Sequence, residues 1–175
     1  MLRLRPYKSS DAKYIINWIK DEKSFAMWCA NKFQYPLTEV QLNEYKEVYE
    51  KDENGWPMTA IDEKGIPVGH FLMCRADYKN ESIHLGFIIV DSEMRGKGYG
   101  KEMLTLAIKY AFEILKVSRI TLVVYENNPS AHNCYKSVGF VDEKYNEKIF
   151  PYKEELWGAY DMAIENHGGR YEGRS

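Results

Sequence analysis

Six residues, Arg95-Gly96-Lys97-Gly98-Tyr99-Gly100, constrain this chain more than any other segment because of what flanks them. An apolar run at 85–90 precedes them, and helical periodicity over 101–116 follows. A strand, a glycine-rich turn and a helix N-terminus in that order make a cradle of backbone N–H groups for phosphate. Arg95, Lys97 and Lys101 add a small positive spot, sized for a phosphorylated small molecule rather than a duplex. The net charge of −2 supplies no basic field for nucleic acid.

The rest of the pattern describes one α/β domain. Strands are expected at 2–5, 58–62, 68–77, 82–90, 119–125, 140–145 and 159–165, from apolar alternation bounded by turn residues. Ser9 or Ser10 is expected to cap a first helix with Asp11 in its opening turn, and a second helical piece covers 21–30. Thr38-Glu39-Val40-Gln41 reads as a capping box opening a polar helix towards Glu50. In the main helix Leu104, Ala107, Ile108, Ala111 and Leu115 form one buried stripe. A short helix spans 129–138, with Asn128 as cap, Pro129 in the first turn and Gly139 as stop. The expectation is a single domain over 1–166, with a mixed, mostly antiparallel central sheet flanked by helices, and a disordered tail over 167–175.

Three cysteines without CxxC spacing argue against a disulfide framework or a metal site. No run approaches eighteen apolar residues and the N-terminus shows no apolar signal core, so a cytoplasmic protein without a membrane partner is expected.

Three phosphate-binding patterns compete at the turn. A P-loop needs Gly five positions before the Gly of Gly-Lys-Ser/Thr; here Arg95 stands at that position and Glu102 follows Lys101. A dinucleotide fingerprint needs G-x-G-x-x-G, whereas the glycines fall at 96, 98 and 100. The third pattern, [QR]-x-x-G-x-[GA], is met by Arg95, Gly98 and Gly100. On that motif, and on Asn128-x-x-Ala131-x-x-x-Tyr135-x-x-x-Gly139-Phe140 thirty residues later, the chain resembles the GNAT superfamily of acyl-CoA-dependent N-acetyltransferases. The resemblance runs over about residues 1–165.

The resemblance implies that acetyl-CoA is the cosubstrate and a primary amine the acceptor. It implies that the backbone of Arg95, Gly96, Lys97, Gly98, Tyr99, Gly100 and Lys101 holds the CoA pyrophosphate. It also implies a bulged strand at Ile88, Ile89 and Val90 for the pantetheine arm and thioester carbonyl, and Asn128 on that arm. From the residues alone, Asn128 is a helix cap and Tyr135 a core aromatic or a proton donor. The resemblance implies the donor: a phenol with a pKa of about 10 is protonated at neutral pH and comparable in acidity to the departing thiol.

The chain departs from the pattern at the general base. Phe87 to Val90 are apolar, where members with a strand carboxylate carry Glu or Asp. His84 shares the face of Ile88 if no bulge intervenes, but four residues at about 3.3 Å leave it some 13 Å away. Glu126, at the end of the next strand, is the alternative. Cys134 has no activating partner in sequence, so direct transfer in a ternary complex is expected over a covalent acetyl-enzyme. The opening Leu4-Arg5-Pro6-Tyr7 resembles the subgroup containing ribosomal-protein N-terminal acetyltransferases, and Trp28, Phe33 and Tyr35 are candidate lining residues for the acceptor. A non-catalytic acyl-CoA sensor is the rival, and the final strands leave monomer and homodimer open.

Overall fold

A computed structural model describes residues 1–168. Among the described residues seven strands form one mixed sheet, in the order β1-β2-β3-β4-β5-β7-β6. They are β1 (Arg3–Pro6), β2 (Trp56–Ile61), β3 (Pro67–Asp77), β4 (Ser82–Val90), β5 (Arg119–Tyr125), β6 (Val141–Tyr152) and β7 (Glu155–Glu165). Among the described residues only β4 and β5 run parallel; the other neighbours are antiparallel. On one face lie α1 (Ala12–Trp18), α2 (Glu22–Cys29) and α3 (Glu39–Lys51). On the other lie α4 (Tyr99–Lys109) and α5 (Pro129–Ser137).

The larger core fills the space between the sheet and α4. Met103, Leu104, Ala107 and Ile108 are at most 1% exposed and pack on Phe71, Met73, Ile83, Leu85, Ile120 and Leu122. That is the periodic stripe of an amphipathic helix meeting the inward alternates of three strands. Past Lys109 the helix widens into a π-helical turn, Tyr110–Ile114, which turns Ala111 and Phe112 inward. Among the described residues no helix is long and apolar enough to cross a membrane.

Local capping works as expected at α5 and differently at α1 and α3, while α2 is capped by a residue to which the sequence pattern assigns no such role. Asp21 accepts from the Ser24 N–H at 2.7 Å, and Asn128 from the Ala131 N–H at 3.3 Å. Before α1 no serine caps the turn. Asp11 instead reaches back to the Lys8 N–H at 2.9 Å while holding Arg5 in a two-pronged pair at 2.7 and 2.8 Å. At α3 Thr38 accepts from the Gln41 N–H, but the Gln41 side chain bonds the Gln34 and Pro36 backbone instead of completing a capping box.

The last two strands are longer than the sequence pattern indicates. They form a hairpin over Val141–Tyr152 and Glu155–Glu165, where alternation was legible only at 140–145 and 159–165. A register shift between Asn146 and Phe150, with Lys148 at φ 49°, scrambles the period-two signal there. The tip docks on α2 through Lys153–Glu22 at 3.3 Å and Lys23–Glu155 at 3.2 Å. Of the expected tail, residues 169–175 lie outside the described residues.

Candidate active site

Parallel pairing between β4 and β5 covers three positions, Ser82↔Arg119 to His84↔Thr121, and then stops. Beyond it β5 stays hydrogen-bonded to β7 as far as Tyr125↔Ala159, and β4 stays on β3 as far as Val90↔Gly69. The two strands therefore part in mid-sheet. Their facing edges carry backbone N–H and C=O groups that no neighbouring strand takes up.

A bulge on β4 causes the parting. Leu72 pairs with Gly86 and His70 with Ile89, so β3 spends two steps where β4 spends three. The extra residue is Phe87, at φ 46°, while Gly86 beside it stays extended. The bulge reverses the facing of everything after it. Ile83 and Leu85 point into the α4 core; Ile88 and Val90 do so beyond the bulge, and Phe87 and Ile89 join the cluster under α1–α3. The backbone around Ile88, Ile89 and Val90 thus lies along an open, bulged edge.

Three elements converge at the far end of the split. A Cβ on Gly100, in the first turn of α4, would lie 3.4 Å from Cys134 Sγ on α5 and 3.8 Å from Val90 Cγ2 on β4. Tyr135, 7% exposed, belongs to the same cluster as Ile88, Val90, Tyr99 and Cys134, with its ring 6.3 Å from Phe140. Gly96 and Gly98 sit at φ 80° and 82° in the exposed turn, with open space where a Cβ would go. Gly98 is needed for its conformation, not for room. The first N–H groups of α4 have no partner within the helix, and with Arg95, Lys97 and Lys101 at the rim they form a positive, donor-rich end to the split.

Charge states favour a neutral, water-poor site. Burial, with Cys134 alongside, pushes the Tyr135 phenol well above its ordinary range, so the hydroxyl holds its proton. Burial also raises the Cys134 thiol, leaving it a poor nucleophile. Asn128 caps α5 with its oxygen, so its amide nitrogen is not used by that bond.

Neither candidate base survives in its expected place. The bulge puts His84 on the face opposite Ile88, beneath α1–α3, where Nδ1 meets Thr121 Oγ1 at 2.8 Å. Burial first, then the nearby charges of Arg75 and Lys32, bring its pKa down to about 4. Glu126 is tied into the hairpin by the Tyr145 hydroxyl at 2.5 Å and the Gly158 N–H at 2.9 Å, which lower its pKa. Trp28 and Phe33 do border the bulge, stacked at 5.5 Å and lying 5.6 and 5.3 Å from Phe87. Tyr35 packs instead on Phe25 and is 46% exposed. The sequence did not single out Phe87, or the cluster of Tyr125, Phe150, Tyr152 and Trp157 under α2. The aromatic density over 145–160 was its one trace.

Comparison with known proteins follows the same lines. The acetyltransferase (GNAT) domain family model matches residues 1–141. A spermidine N(1)-acetyltransferase of Vibrio cholerae is 28% identical over 145 residues, spanning 81% of this chain and 80% of its own. A spermine/spermidine N(1)-acetyltransferase of Bacillus subtilis is 39% identical over 64 residues, 37% of this chain and 42% of its own. The crystal structure of the Vibrio cholerae spermidine N-acetyltransferase in complex with CoA and spermine superposes with a TM-score of 0.82. It covers 97% of each chain at 24% identity, a likeness of fold.

Proposed function

The chain belongs to the GNAT acetyltransferase family and uses acetyl-CoA to acetylate a primary amine, and on that premise we propose that its acceptor is a polyamine. The leaning of the N-terminal segment towards ribosomal-protein acetyltransferases gives way here, because the relatives named above act on spermidine and spermine. The domain we assign runs over 1–166, with the Asn166 N–H bonded to the Ser118 carbonyl at its end, and we take it to work in the cytoplasm.

One observation carries the chemistry: the bulge at Phe87 opens an unpaired backbone edge that leads to the glycine turn at one end and to Tyr135 beside it. In our assignment the backbone at Ile88–Val90 holds the pantetheine arm and polarises the thioester carbonyl. Residues 95–101 take the pyrophosphate, and the amide nitrogen of Asn128 donates to the arm. As the amine attacks and the carbon–sulfur bond breaks, Tyr135 donates a hydrogen bond and then its proton to the departing sulfur. Because burial makes this phenol a weaker acid than a free thiol, stabilising the developing negative charge is its first contribution and proton delivery its second. Beside the bulge β4 offers no carboxylate, so the amine loses its proton to solvent.

The test is acetyl-CoA turnover by the purified protein with spermidine, spermine and a peptide bearing a ribosomal-protein N-terminus, followed by mass analysis of the acceptor. Mono-acetylated spermidine or spermine is expected. Acetylation of the peptide alone, or acetyl-CoA binding without transfer to any amine, overturns the proposal.

A further inference from the structure

On the α1–α3 face, β5 presents Thr121, Val123 and Tyr125, the alternates of the buried Ile120, Leu122 and Val124. Val123 is 50% exposed although it stands in mid-strand at the centre of the sheet. Central positions of a sheet packed by helices on both faces are ordinarily covered, so the face is open here. What remains is a groove over β5 and β7, walled by Trp28 and Phe87 towards β4 and by Tyr125 and Trp157 towards the hairpin.

Its floor carries a carboxylate. Asp161 on β7 is the direct register partner of Val123, so the two side chains stand on the same side of the sheet. It makes no hydrogen bond or ion pair with any described side chain, although Lys144 is its register partner on β6. The charge reaches across the groove to His84, where it works against the influence of Arg75 and Lys32. Lys32 stands 5.8 Å from the Phe87 ring, so that end of the groove is cationic, whereas the carboxylate lies in its middle.

We infer that Asp161 is the acceptor-specificity residue of the site, receiving a second ammonium of the amine whose first nitrogen is acetylated at the β4–β5 split. The row Lys144, Asp161, Val123 runs across the strands and ends at the split. At an interstrand step of about 4.8 Å, Asp161 stands one step behind the strand that borders it. A spacer of three or four methylenes covers about one such step. The aromatic walls favour the methylenes, while Lys32 over the Phe87 ring at 5.8 Å and Lys23 over the Trp157 ring at 5.9 Å leave the carboxylate to receive the ammonium. Lys32 and Arg75 turn a second positive charge away from the other end. The inference rests on the polyamine proposal and names the residue within it that reads the second charge.

The experiment compares the wild-type protein with Asp161→Asn and Asp161→Glu, using spermidine and butylamine as acceptors at saturating acetyl-CoA. Asp161→Asn is expected to lower kcat/KM for spermidine about tenfold or more, through loss of one charge-assisted contact. It should leave butylamine, the KM for acetyl-CoA and the melting temperature unchanged, and Asp161→Glu should restore much of the preference. Equal losses for both amines, or none, overturn the inference while leaving the polyamine proposal standing. Calorimetric titration of spermidine into the CoA-loaded proteins reads the same contact without turnover, and an unchanged Kd in Asp161→Asn overturns it. Wild-type protein that binds spermidine in an Asp161-dependent way but never acetylates it removes the functional proposal and keeps the subsite.

Discussion

Tyr135→Phe separates chemistry from packing because the structure holds the ring and the hydroxyl by different means. The ring is buried in the α4 core beside Phe140, and phenylalanine keeps all of that. None of the described residues is hydrogen-bonded to the hydroxyl, so its removal orphans no partner, and stability should change by less than about 1 kcal/mol. Turnover should fall far more. A donor aimed at developing charge in a water-poor site is worth about 3 kcal/mol, or roughly 10²-fold in kcat. Steady-state thiol release at saturating spermidine, with acetyl-CoA varied, gives kcat and KM separately, and a thermal melt gives stability. The expected result is kcat down about 10²-fold, KM for acetyl-CoA within about twofold, and an unmoved melt. The wild-type rate should also show no alkaline decline from this phenol below about pH 10, since burial moves it upward from there. A parallel loss in kcat and KM, or a lowered melt, refutes the assignment and returns Tyr135 to the core.

Other sites test other links. Gly98→Ala meets no atom within 4 Å, so its cost is the positive φ alone, about 1 kcal/mol. A severalfold rise in the KM for acetyl-CoA with kcat held should accompany it, and an unchanged KM would remove the turn from the cofactor site. Arg5→Leu strips Asp11, only 3% exposed at its side chain, of both guanidinium bonds, leaving Lys8 and Thr59 to hold a buried carboxylate. About 3–5 kcal/mol should vanish in urea denaturation, and a loss under 1 kcal/mol would show that the carboxylate finds water. His70, wholly buried with Nε2 3.0 Å from the Tyr45 hydroxyl, has its pKa brought down by burial to about 3. The unfolded chain binds a proton there below about pH 6.5 and the folded chain does not, so this stability is complete above pH 6.5 and is lost as pH falls towards 3. Replacing it by Gln should flatten the slope of stability against pH in that window by up to about 1.4 kcal/mol per unit; an unaltered slope contradicts the burial argument.

Features set by neighbours in the chain were legible before folding. The bounds of β4 and β5, Asn128 as the cap of α5 and Gly139 as its stop all follow from residues a few positions apart. Gly139 also owes its identity to the fold: at φ 116° a Cβ would lie 2.9 Å from Ile164 Cδ1. The glycine turn and the Asn128–Tyr135 spacing were equally plain, because a phosphate cradle and a short capped helix are local objects.

Other features depend on a partner strand. The positive φ falls on Phe87 rather than on the adjacent Gly86, because the register against β3, not local propensity, fixes where the extra residue goes. That one residue inverts the facing of the strand, carries His84 away from Ile88 and frees the edge beside Tyr135. Asp161 gave no signal of its own, since a carboxylate in a strand acquires meaning only when its cross-strand partner, Val123, is left uncovered. The sequence alone determined the family, the elements and the phosphate end of the site. Tertiary structure decided the acceptor end, because strand register and the uncovered groove arise between segments far apart in the chain, Trp28 and Trp157 among them.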